Sequence, residues 1–234
     1  MPGWSSTLGT FVPDSFIPPD GVAPNPAVDN SILCINFTVT AGQTKTYNVD
    51  NTPPPGGRAL TIGFWKNWAS CTSSALKKVN ALDQALAAAS VIPDGQNKPG
   101  IVVSSSSGIY DLFGATYYLV LHGSTATPNT APDCAAAVKL LNKTTIAANP
   151  KKMASDPLFN MTAQLVGAEL NYAAGAGKNG ATTTNITSAV RLNGTYAFDG
   201  LTHGNLSAAA TTKANCLATQ LDNYNNDRPV SVCP

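Results

Sequence analysis

His122 and His203 are the two histidines of this 234-residue chain, and each has an aspartate near it in sequence, Asp111 and Asp199. A histidine as base, an aspartate to orient it and Ser124 or Ser207 as nucleophile would be a set for acyl-transfer hydrolysis. No G-x-S-x-G turn is present to hold a serine on a strained elbow. His122-Gly123-Ser124 is also too short to place a base beside its own nucleophile. Loop histidines with ordinary hydrogen bonds are the reading these residues favour, and a hydrolase using His122 or His203 with Asp199 and Ser124 is the alternative. A glycosidase needs two carboxylates flanking a cleft. Glu169 is the sole glutamate and the aspartates are scattered singly, so no pair is marked.

Three further strings could carry chemistry. Gly175-Ala176-Gly177-Lys178-Asn179-Gly180 satisfies G-x-G-x-x-G, but the dinucleotide motif works where a strand ends and a helix begins. Here a helical pattern precedes the glycines, so they read as a helix end and a loop. Asp222-Asn223-Tyr224-Asn225-Asn226-Asp227 is oxygen-rich, yet it lacks the glycine and the late glutamate of a calcium loop. It reads as a fraying helix end whose asparagines tolerate left-handed backbone. The densest aromatic cluster is Gly63-Phe64-Trp65-Lys66-Asn67-Trp68. Exposed, Phe64, Trp65, Lys66 and Trp68 would stack a sugar ring or cover a partner's apolar patch. Buried, they would anchor the preceding segment on the rest of the chain, and burial is favoured because aromatic residues are only 7% of the sequence.

Composition narrows the class of function. Charged residues are 12%, about half the usual ~25%, and the net charge is +1. No basic footprint for nucleic acid exists, and no apolar run approaches the ~18 residues of a membrane span. Hydrophobic residues at 43% support a sizeable core. A surface wetted by Thr, Asn and Ser in place of Glu and Lys points to a secreted or cell-surface protein, although no basic–apolar–small leader opens the chain. Five cysteines, with no C-x-x-C pair, carry neither zinc nor thioredoxin spacing. In an oxidising compartment they pair with one left over. Cys216 with Cys233 is the first expected bridge, since it clips a terminal tail to the helix before it, and Cys71 with Cys134 is the second. Cys34 is then unpaired or intermolecular. No metal and no cofactor is expected.

The elements that must position these residues change period along the chain. Residues 1–52 read as strand and turn, with Leu33, Ile35, Phe37 and Val39 on one face and a hairpin break at Ala41-Gly42-Gln43. Pro53-Pro54-Pro55-Gly56-Gly57 opens a linker, 53–60. From 61 to 234 the spacing is mainly helical. Leu76, Val79, Leu82, Leu86 and Ala89 make one stripe, and Cys134, Val138 and Leu141 another after Pro132. The strongest helix starts at Ser155 or Asp156 as cap with Pro157 at its first position. It carries Leu158, Met161, Leu165, Ala168 and Tyr172 and ends at Gly175. A short helix over 183–192 and a long one through Ala210, Ala214, Leu217, Leu221 and Tyr224 complete a bundle of four or five. The stretch 101–123 fits strand or helix, with a small hairpin slightly favoured.

GFWKNW, preceded by Arg58-Ala59-Leu60-Thr61-Ile62 and followed by Ala69-Ser70-Cys71, resembles the GYWKNW segment of secreted proteins of environmental bacteria. Asp133-Cys134 with Ala137-Val138, Leu140-Leu141-Asn142-Lys143, the string KKMASDP (Lys151 to Pro157) and LDNYNN (Leu221 to Asn226) match in the same order. That family appears as a C-terminal module behind immunoglobulin-like or prealbumin-like surface domains. The resemblance implies a structural or binding role and brings no catalytic residues. Val39 to Thr44 and Val49 to Pro53 look like the last two strands of a prealbumin-like (Cna-B or SpaA type) domain, with Asn51 at the position that may form an isopeptide bond there. The first strand and its lysine are not found ahead of them. A sheet short of one strand exposes a pairing edge, and strand donation between copies would build a polymer.

The expected fold class is therefore α+β: a short β-rich N-terminal piece, an incomplete prealbumin-like or immunoglobulin-like sheet, followed by a mainly helical module. The expected function is a non-catalytic extracellular or cell-surface structural or adhesive module that pairs with itself, other surface proteins or glycans. A secreted hydrolase and a carbohydrate-binding module using Trp65 and Trp68 are the alternatives.

Overall fold

A computed structural model describes residues 58–69, 71, 81–89, 100–109, 114–123 and 133–234. All belong to the second of two compact units into which the chain divides, Gly56–Pro234. The β-rich segment 1–52 with its hairpin, Asn51, Cys34, Ser124, Leu76, Val79 and Pro132 lie outside the described residues.

The described chain is mixed helix and strand. Its order is α1 (Ile62–Asn67), α2 (Ala81–Ala88), β1 (Gly100–Ser105), β2 (Tyr117–His122), α3 (Cys134–Leu141), α4 (Pro157–Ala173), α5 (Gly180–Thr195) and α6 (Ala208–Asn225). Six helices thus stand among the described residues, where the periodicity predicted four or five. The addition is α1, whose aromatic-rich sequence has no stripe. Thr61 starts it by accepting the Phe64 amide on its side chain at 3.1 Å.

α4 is the centre. Asp156 is its cap, accepting the amides of Leu158 and Phe159 at 2.9 and 3.1 Å, and Pro157 takes the first turn, where its missing N–H costs nothing. Gly175, at φ +93°, turns the chain out of the helix end. The expected stripe understates this helix. Thirteen of its 17 residues are buried, including Thr162, Gln164, Glu169 and Asn171, because α1, α2, α3, α5, α6 and β1 all pack around it. Tyr172, the expected end of the stripe, is instead exposed. Around α4, the apolar residues of α6 (Ala210, Ala214, Leu217, Leu221, Tyr224) do all face the core. α5 runs 16 residues, longer than 183–192, because Asn179 caps it four residues upstream.

β1 and β2 pair antiparallel, from Gly100 opposite His122 to Ser105 opposite Tyr117, with irregular register around Ser104. Every β1 residue is buried. A strand covered on both faces carries a continuous apolar run, which explains why Ile101-Val102-Val103 shows no alternation. α5 approaches this strand closely at Gly194, where a β-carbon would fall on the Ser105 carbonyl.

Two disulfides fasten the periphery. Cys71 bonds Cys134 at the start of α3 across 63 residues, and Cys216 of α6 bonds Cys233 in the tail across 17. Loop-closure entropy puts these at about 4 and about 3 kcal/mol on the chain-entropy account. The tail is held a second time, since Asn185 of α5 donates to the Ser231 carbonyl at 2.8 Å and accepts the Cys233 amide at 3.1 Å.

Candidate functional site

The distinctive strings of the sequence converge on the ends of α4, and their side chains are largely consumed in holding the fold. At the C-terminal half, Asn171 uses its whole amide. Its Oδ1 accepts from the Leu60 amide at 2.8 Å and from Trp65 Nε1 at 3.0 Å. Its Nδ2 donates to the Leu60 carbonyl at 2.8 Å and to Asn225 Oδ1 at 2.9 Å. Asn225 passes the chain on, donating at 2.9 Å to both the carbonyl and Oε1 of Gln164, whose Nε2 donates to Asp222. GFWKNW and LDNYNN are thereby locked to α4 through a fully satisfied buried network, which fixes register as well as adding stability. Gly167 makes room for it, since a β-carbon there would sit 2.8 Å from Ile62 and 3.1 Å from Asn225 Nδ2.

The aromatic cluster divides under this constraint. Trp65 is 2% exposed and hydrogen-bonded within the core, so its ring is not offered at the surface, and Phe64 lies edge-on to it at 5.3 Å. Lys66 is half-buried in the last turn of α1, whereas Trp68 stands 66% exposed at its end. The pair of stacking rings expected for a sugar is reduced to one.

At the N-terminal end of α4, Asp156 serves two partners. One oxygen caps the helix and the other lies 2.8 Å from His203 Nε2. The second ring nitrogen, Nδ1, is 2.7 Å from the Gly204 carbonyl, so both ring nitrogens are engaged. Phe198 stacks beside the ring and meets Phe159 of α4 edge-on. Asp199, the expected partner of His203, instead accepts the amides of Leu201 and Thr202 at 2.8 and 2.7 Å. Short turns make such local bonds easier than a side-chain contact two positions further on. The His203–Asp199 contact that the hydrolase alternative would use is therefore not formed. His122 lies buried on β2, not in a loop.

The KKMASDP string contributes the Asp156 cap and Lys152, which donates to the Asn142 carbonyl at 2.6 Å. Ahead of the string, Lys139 donates to the carbonyls of Ile146 and Ala147, and Lys143 donates to Asn160 Oδ1 of α4 at 2.5 Å.

A cleft of about 330 Å³ opens where the Gly175–Gly180 loop enters α5, opposite the end of α6. Lys178, Asn179, Tyr224, Asp227 and Arg228 line it. Asn179 Oδ1 caps α5 on the Thr182 amide at 2.9 Å, Lys178 Nζ lies 3.3 Å above the Tyr172 ring, and Asp227 is paired with Arg58 at 2.9 Å. The G-x-G-x-x-G string thus lies between two helices, with no strand before it. Beside it, Glu169 is 6% exposed, and its Oε2 has no hydrogen-bond partner. Burial raises its carboxyl well above the ordinary range, opposed in part by Lys178. Tyr224 is pushed up to about 12 by burial, with Tyr172 and Asp227 adding to it. The sequence marks Glu169 only as a carboxylate with no second member for a pair, and the Tyr224–Arg228 wall carries no signal beyond the helix end that LDNYNN marks. No three of His, Cys, Asp and Glu gather as a metal site among the described residues, and no helix of the described chain is long and apolar enough to cross a membrane.

Compared with known proteins, the chain matches no family model, no curated protein and no solved structure.

Proposed function

We propose that this chain is a non-catalytic extracellular module with a structural or adhesive role, assembling with copies of itself or with other surface molecules. One observation carries the reading: side chains of its distinctive strings, Trp65, Asn225 and Asp156 among them, are engaged by other residues of the module. The two disulfides favour an oxidising compartment. The hydrolase reading loses ground because His122 is buried and both nitrogens of His203 are occupied.

Light scattering on size-exclusion chromatography of the full chain, with and without reductant, tests self-assembly. Species at multiples of the 24.1 kDa chain that collapse on reduction are the expected result. A clean monomer in both buffers overturns it. Trp68 favours a second reading, a glycan contact through one exposed ring. Saturable glycan quenching of tryptophan fluorescence that disappears in Trp68→Ala supports that reading, and unchanged quenching refutes it.

A further inference from the structure

The chain has two Asn-Gly steps, Asn179-Gly180 at the cap of α5 and Asn193-Gly194 inside the same helix. The backbone nitrogen after an asparagine can attack the side-chain amide carbon, and glycine lets it approach most easily because no β-carbon stands in the way. Ring closure needs backbone outside the helical region, an N–H not held by an acceptor, and a side-chain nitrogen free to leave. The two steps meet opposite conditions.

Asn179 is exposed, and its backbone is extended at φ −100° and ψ 176°. Gly180 is the first residue of α5, so its N–H has no carbonyl within the helix to bond. The positive end of the helix also favours the deprotonated, nucleophilic form of that nitrogen. Thr182 donates to Asn179 Oδ1 twice, from its amide at 2.9 Å and its hydroxyl at 3.0 Å. Two donors at this range suit the negative charge the oxygen takes on when its carbon is attacked. The space around Gly180 is open, since a β-carbon there would meet nothing within 4 Å. Asn193, by contrast, is buried, and its Nδ2 donates to the Val103 carbonyl at 2.8 Å and to Thr162 Oγ1 at 3.0 Å. Gly194 after it lies against the Ser105 carbonyl, and in the body of a helix its N–H is committed four residues back.

We propose that Asn179-Gly180 is a self-modification site. The Gly180 nitrogen gives its proton to water and bonds to Asn179 Cγ, the Cγ–Nδ2 bond breaks, and ammonia leaves. Water then opens the succinimide ring at either carbonyl, giving aspartate or isoaspartate at this position. Either product takes the net charge from +1 to zero. Aspartate keeps a capping oxygen, and its charge suits the start of the helix. Isoaspartate puts a methylene into the main chain and carries the capping group away from Thr182, so this form loosens the first turn of α5. Asn193-Gly194 keeps its amide for as long as the fold holds.

Trypsin separates the two steps, because Arg191 lies between them and Lys178 precedes the first. The full chain is warmed for several days at mildly alkaline pH, folded or in guanidinium, and its tryptic peptides are read by mass spectrometry. Folded, the Asn179 peptide should show the amide-to-acid mass change and the Asn193 peptide should not. In guanidinium both should react at similar rates. Gly180→Ala should slow the reaction at Asn179 severalfold without lowering the melt. Anion exchange of the aged wild type should yield an isoaspartyl form that melts below the fresh chain. Asn179 left unreacted in the folded chain, Asn193 reacting there at the same pace, or Gly180→Ala reacting as fast as wild type each overturns the proposal.

Discussion

Replacing Gly194 by alanine sets two well-measured effects against each other. Within a helix the change ordinarily stabilises by about 0.5–1 kcal/mol, because alanine has less conformational freedom to lose. At this position the new methyl would occupy the place of the Ser105 carbonyl and lie 2.8 Å from the Ser106 amide nitrogen. Both are backbone atoms of the β1 end, so no rotamer relieves the overlap, and α5 must withdraw from the strand. Withdrawal stretches the bond at 2.8 Å from Asn193 Nδ2 to the Val103 carbonyl, together with the Asn193–Thr162 pair. Overpacking costs about 1–3 kcal/mol, and a buried carbonyl left unpaired about 1–3 more. After the helix gain is subtracted, the net loss is about 1–5.5 kcal/mol, centred on ~3 kcal/mol, which is roughly 6–12 °C in a unit of this size. Gly180→Ala at the start of the same helix is the control. Nothing lies within 4 Å of its β-carbon, so that variant should gain ~0.4–1 kcal/mol. Urea unfolding of both variants, followed by far-UV circular dichroism, reads the two signs. Equal stability of Gly194→Ala and wild type would refute the close packing of α5 on β1.

Other perturbations reach the rest of the molecule. Folded Glu169 holds its proton at pH values where the unfolded chain has lost it, so rising pH above the ordinary carboxylate range favours unfolding. Glu169→Gln should remove that dependence, so its advantage over wild type should grow as pH rises above the ordinary carboxylate range in paired urea melts. An advantage independent of pH would contradict the assignment. Asn171→Ala strips partners from Leu60, Trp65 and Asn225. It should cost about 3 kcal/mol or more in urea unfolding and shift Trp65 emission to the red. Cys216→Ser with Cys233→Ser should lower stability by about 3 kcal/mol or somewhat less, since Asn185 still holds the tail. A loss under ~1 kcal/mol in calorimetric melting would mean that the asparagine alone fixes it.

Local signals in the sequence were legible where one residue type has one mechanism. Asp156-Pro157 and Gly175 mark both ends of α4 because caps act through adjacent backbone. Periodicity was legible for α6, which presents one face to the core. It found α4 but understated its burial, since a helix buried nearly all round has no polar face to bound the stripe, and its Gln164 and Asn171 look like surface residues until their partners 61 and 106 positions away arrive. The hairpin stayed ambiguous for a related reason, because burial on both faces erases alternation. The cleft was the least visible feature. Its walls come from the α4–α5 loop and the end of α6, and the glycine string on one wall suggested only a helix end.

The two disulfides also determine how the Gly56–Pro234 unit responds to tension. A pull transmitted along the backbone from one end of the unit to the other bypasses the loops closed by Cys71–Cys134 and Cys216–Cys233. Those 63- and 17-residue spans cannot lengthen while the bonds hold, even after every helix has unravelled. At ~3.4 Å per residue they withhold roughly 270 Å of contour length. A stretched chain of this protein would therefore reach roughly 270 Å further when reduced than when oxidised.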